Sequence, residues 1–110
     1  MRLRGYVVWV PKRGGAEKDV PEAARLIPDK RAKQYWDESG QLMKRYTSVL
    51  SLSVDAWDIY MVYGPEARWE GDAPPAPDYW MHQLASPGVK GPRLDAEVFA
   101  AKARAALTPR

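Results

Sequence analysis

Tyr6-Val7-Val8-Trp9-Val10-Pro11 is the stretch on which the fold turns. Five consecutive β-branched or aromatic residues end at a proline. A strand with one wet face alternates apolar and polar residues. This one is apolar on both faces, which predicts a strand covered on both sides, as in an α/β sheet. Lys12-Arg13-Gly14-Gly15 then predicts a turn. Asp19-Val20-Pro21-Glu22 predicts a helix start, with Asp19 as cap and Pro21 in the first turn. That helix carries Ala23, Ala24, Leu26 and Ile27 and stops before Pro28. Residues 31–36, ending in Tyr35-Trp36, predict a second, shorter strand, broken by Asp37-Glu38-Ser39-Gly40.

Residues 40–50 predict a helix, because Leu42, Met43, Tyr46, Val49 and Leu50 share one face while Lys44 and Arg45 face out. Ser51 to Asp55 reads as a loop. Ala56-Trp57-Asp58-Ile59-Tyr60-Met61-Val62-Tyr63 predicts a third strand, and Gly64-Pro65-Glu66 turns the chain so that Ala67-Arg68-Trp69-Glu70 returns beside it. A loop rich in Pro, Asp and Gly fills residues 71–78. Tyr79 to Leu84 predicts one short helix with Asp78 at its start. After a loop over residues 86–92, Asp95 caps a last helix, Ala96 to Leu107, whose apolar face is Val98, Phe99, Ala103 and Leu107 and which Thr108-Pro109 ends. The order β–α–β–α–β–β–α is that of an α/β domain. The expectation is one domain over residues 1–110, with a mixed sheet of about 3–4 strands, an antiparallel edge and flanking helices.

Composition narrows the chemistry. The chain has 110 residues, 45% of them apolar, which suits one globular domain. It has no cysteine, so it carries no disulfide, thiolate nucleophile or dithiol cycle of its own. Its single histidine excludes His-rich metal sites. No apolar run approaches the ~18 residues of a membrane span, and no membrane partner is expected. The start shows no signal-peptide pattern, so a cytoplasmic location is expected, or a periplasmic one should the true start lie further upstream. Residues 1–33 hold nine Lys/Arg against four Asp/Glu, whereas residues 55–80 hold six Asp/Glu and one Arg. The acidic middle interrupts any basic stripe, so no nucleic-acid partner is expected.

Across these elements the chain resembles the thioredoxin-like superfamily, in particular bacterial domains related to thiol–disulfide oxidoreductases. The likeness rests on Tyr6 to Pro11, on Tyr35-Trp36-Asp37 with the helix at residues 40–50, on Ala56 to Pro65 with Trp69, and on the last helix. It implies a truncated thioredoxin-like sandwich. The family opens with a strand and a Cys-x-x-Cys motif at a helix N-terminus, and it sets a cis-proline before the hairpin strand. Against that pattern the expected start of this chain is just after the first unit, and Val54-Asp55-Ala56 holds no proline where the second would stand. The resemblance therefore implies a redox-inactive scaffold and carries no catalytic residue over.

A sheet short of a strand and a helix leaves adhesive backbone and apolar surface to be covered. Three covers present themselves: a second copy, another chain paired by strand addition, or internal rearrangement. The reading favours a binding or scaffold module that self-associates as a dimer through the edge at Tyr6, Val8 and Val10, with a further protein partner at the same edge as the variant. Two alternatives stand beside it. The chain is the C-terminal part of an oxidoreductase whose catalytic segment is missing, or it is a small ligand- or metal-binding protein. For the latter, Asp78 and His82 at i, i+4 would share a helix face, although two ligands fall short of the three usual for catalytic zinc. The plainer reading is a capping Asp and a packed His. Asp58, alone or with Glu70, could act as a carboxylate base, or simply bond a loop. Trp69, Tyr79 and Trp80, with Pro74, Pro75 and Pro77, suggest an aromatic binding surface, or a loop pinned by its own rings. No catalytic residue, metal or cofactor is expected.

Overall fold

The computed structural model describes residues 4–11, 18, 32–86 and 88–107. Strand β1 is Gly5–Trp9 and β2 is Ala32–Trp36. They run parallel, with Tyr6 opposite Lys33, Val8 opposite Tyr35 and Trp9 opposite Trp36. Parallel strands need a crossover. The helix expected to supply it, Asp19 to Ile27, lies outside the described residues, as do the Lys12 to Gly15 turn and Thr108-Pro109. On one face of the pair, Trp9 Nε1 donates to Gln34 Oε1 at 2.8 Å.

The ladder runs one step past β2, where the Asp37 N–H donates to the Trp9 carbonyl at 2.8 Å. Asp37 is buried, and its carboxylate accepts the N–H groups of Leu42 at 3.1 Å and Met43 at 2.9 Å. Helix α1, Gln41–Val49, therefore starts on a side-chain anion placed where its free N–H groups point. Gly40 makes the entry with φ 70°, and a Cβ there would stand 3.2 Å from the Met43 methyl carbon. The helix buries Met43 and exposes Lys44 and Arg45, as the spacing predicted. The Thr47 hydroxyl donates to the Met43 carbonyl and accepts the Ala56 N–H, both at 2.9 Å, which ties the following segment to the helix.

Strand β3, Ile59–Val62, is shorter than the expected strand over residues 56–63. Asp58 sits at φ 57°, outside extended geometry, and stops the strand there. Its partner is β4, Tyr79–His82, antiparallel, with Ile59 opposite His82 and Val62 opposite Tyr79. Two expectations are corrected here. Residues 79–84 do not form a helix, and Ala67 to Glu70 is not the returning strand; Glu70 makes only a local bridge to Ala73 across a turn with Gly71 at φ 73°. Asp78 caps no helix. Its N–H donates to the Val62 carbonyl at 2.9 Å and its Oδ2 accepts the Gly64 N–H at 2.7 Å, which closes the pairing of β3 with β4. Aromatic residues at 79 and 80 favour the strand, and a six-residue run is too short for periodicity to decide.

The architecture is mixed α/β, but among the described residues the four strands form two sheets of two rather than one mixed sheet. Helix α2, Ala96–Leu107, matches its expected span. The Asp95 carboxylate accepts the N–H groups of Glu97 at 3.0 Å and Val98 at 3.1 Å. The helix rests on β3 and β4, with Phe99 edge-on to Tyr60 at 6.3 Å and the Lys102 ammonium 4.9 Å from the Tyr79 ring centre. Among the described residues the buried apolar set is Met43, Ala56, Val62, Met81 and Leu84.

Candidate functional site

One face of the β1–β2 sheet carries the two most exposed aromatics among the described residues. Tyr6 is 60% exposed and Tyr35 50%. Alternation along each strand puts Tyr6 and Val8 on one face, and the register puts Lys33 and Tyr35 beside them. The two phenol rings lie 6.4 Å apart at 23° to each other. Val8 is half-buried, and so is Val10, one residue beyond β1. Of the residues expected at a self-association edge, Tyr6 is open and the two valines are partly covered. Tyr35 belongs to the same surface and was not singled out from the sequence. Its signal was the alternation of Lys33, Tyr35 with Ala32, Gln34, Trp36.

Trp69, Tyr79 and Trp80 do not form one platform. Trp69 is 47% exposed, and its ring is held by an Nε1 hydrogen bond to the Gly71 carbonyl at 2.8 Å. Tyr79 and Trp80 are neighbours in β4, so they point to opposite faces. Tyr79 lies under Lys102. Trp80 lies against Gly91, where a Cβ would collide with its ring carbons, and against the His82 ring at 5.9 Å. Pro74, within the loop, is buried.

His82 is only 3% exposed, and both its nitrogens are in use. The Leu84 N–H donates to Nδ1 at 3.0 Å. The ring hydrogen therefore sits on Nε2, which donates to the Gly91 carbonyl at 2.9 Å. The backbone of His82 bonds on both sides as well: its N–H to the Pro92 carbonyl at 3.1 Å, and its carbonyl to the Leu94 N–H at 2.7 Å. Arg93 completes the tie through the Leu84 carbonyl at 2.6 Å. A neutral imidazole with no free lone pair is a structural joint. In a strand, four residues separate Asp78 from His82 by about 13 Å, against about 6 Å on a helix. The two are not a ligand pair. Among the described residues no cluster of three or more His, Cys, Asp or Glu could hold a metal ion.

Three tyrosine hydroxyls are held by hydrogen bonds as well. Tyr60 donates to Asp58 Oδ1 at 2.7 Å, with the Gln83 side-chain oxygen 3.2 Å away. Burial first, and then the Asp58 hydrogen bond, push its hydroxyl up to about 12. Tyr63 donates to the Pro75 carbonyl at 2.6 Å, so the 2.8 Å bond between the Tyr46 and Tyr63 hydroxyls has Tyr46 as donor. Burial and the Tyr46 hydroxyl raise the Tyr63 hydroxyl above its ordinary value. Asp58 thus serves Tyr60, and Glu70 stands exposed in the loop. No helix among the described residues is long and apolar enough to cross a membrane.

No family model, no curated protein and no solved structure matches this chain.

Proposed function

We propose that this chain is a non-catalytic binding module that associates with a second copy of itself through the β1–β2 sheet. One observation carries the reading: a parallel sheet with two strands among the described residues presents Tyr6 and Tyr35, 60% and 50% exposed, to solvent. Parallel sheets are otherwise covered on both faces, and two strands alone are marginal in water. Tyrosine gives a large apolar contact with a polar end and is enriched at protein interfaces. The sequence resemblance to thioredoxin-like domains is in keeping with this, without their dithiol, since the chain has no cysteine. A second copy is favoured as the cover because the chain supplies its own charge complement, basic over residues 1–33 and acidic over residues 55–80.

The magnitudes bound the interface. Covering both rings hides on the order of 200 Å², about 5 kcal/mol at 25 cal/mol/Å². Association costs about 4–15 kcal/mol in lost freedom. The two tyrosines alone are therefore insufficient, and the surface opposite them must bring apolar area of its own.

The test is molar mass against concentration by sedimentation and light scattering, on the chain and on Tyr6→Asp/Tyr35→Asp. The chain should approach twice its 12.4 kDa mass as concentration rises, and the variant should stay monomeric with unchanged circular dichroism. A chain that remains monomeric at every concentration refutes the proposal.

A further inference from the structure

We infer that the contact is reciprocal and unlike-on-unlike: the Trp69 lobe of each copy seats on the Tyr6–Tyr35 face of the other. This rests on the self-association proposed above and names its counter-surface. Tyr6, Tyr35 and Trp69 are the most exposed aromatic side chains among the described residues. They fall on two patches of opposite charge. Arg4 and Lys33 are exposed beside the tyrosines, while Glu66, Glu70 and Asp72 are exposed around Trp69. The one cation of that lobe, Arg68, turns its guanidinium onto its own Pro65 and Ala67 carbonyls, at 3.3 and 3.0 Å.

Two further features suit the lobe to this seat. The Trp69 indole N–H already has its acceptor in Gly71, so the ring can be buried without stranding a donor. The Gly71 turn and the Glu70–Ala73 bridge hold the lobe in shape before contact, which lowers the ordering cost. A face-on-face dimer would instead gather Arg4 and Lys33 from both copies into one interface, and a lobe-on-lobe dimer would gather carboxylates. Two-fold symmetry allows residue i to meet j while j meets i. Two such contacts close a dimer and match opposite charges twice.

The experiment uses Lys33→Glu and Glu70→Lys, separately and mixed in equal amounts, with circular dichroism as the folding control and sedimentation as the readout. Each variant alone should dimerise about tenfold more weakly. The mixture should recover, because one contact pairs the two altered residues and the other is unaltered. A native dimer whose variants stay as weak when mixed overturns the inference and leaves self-association standing. So does a dimer weakened by Lys33→Glu alone. A native chain that stays monomeric removes both. A single-stranded oligonucleotide that binds the native monomer and is lost in Lys33→Glu would give the face another occupant and also overturn it.

Discussion

The Leu84 N–H points at His82 Nδ1 from 3.0 Å, and that one bond fixes which ring nitrogen carries hydrogen. The other, Nε2, reaches the Gly91 carbonyl. His82→Ala leaves the buried Leu84 N–H and the part-buried Gly91 carbonyl without partners and opens space beside Trp80. The expected loss is about 3 kcal/mol, read from urea unfolding. Zinc calorimetry should give identical traces for the two proteins; a heat of binding lost with His82 would contradict the joint and restore a ligand role.

Gly91→Ala tests the same joint from its other side. The added Cβ would collide with carbons of the Trp80 ring. Trp80 sits between β4 and the 88–94 segment, so relief requires that segment to move away. A loss of about 2 kcal/mol is expected, with blue-shifted tryptophan emission reduced. Unchanged stability would mean the ring and Gly91 are not in contact in solution.

Asp37→Ala removes the anion at the start of α1. Leu42 and Met43 lose their side-chain acceptor. The expected cost is about 1–2 kcal/mol, with helix content falling in circular dichroism. Asp37→Asn should recover part of it, because the amide oxygen still accepts. An alanine variant as stable as the parent would show that water serves those groups equally well.

Alkali should expose the Tyr60 lock. The hydroxyl ionises near 10.0 when unfolded and near 12 when folded. Its contribution is complete below pH 10 and fades as pH rises toward 12, because the unfolded chain releases its proton first. Phenolate absorbance should show late-ionising tyrosines, and Tyr60→Phe should flatten the fall of melting temperature over that window. If all six tyrosines ionise together near 10 in the folded protein, the burial is wrong.

Much of the fold was legible in local pattern. Tyr6 to Val10 and residues 31–36 became β1 and β2, and Asp95 capped α2 over its full expected span. Residues 79–84 failed because four to six apolar residues suit a helix turn or a strand equally. Only pairing with Ile59 to Val62, seventeen or more residues away, decides between them. The division into two sheets is likewise a matter of long-range pairing. At the candidate site, Tyr6 could be read as exposed edge, but Tyr35 needed the register with Val8. His82 drew attention as a ligand because side-chain spacing cannot show partners that are backbone groups.

The hydroxyl relay from Tyr46 through Tyr63 to Pro75 has a polarity, and its far end sets it. A carbonyl offers only lone pairs, so while the loop is docked the Tyr63 hydrogen must point outward and Tyr46 must give. Lift the loop and that hydrogen is free to swing back, reversing the bond between the two phenols. The direction of a single proton therefore records whether the stretch that carries Pro75 is seated.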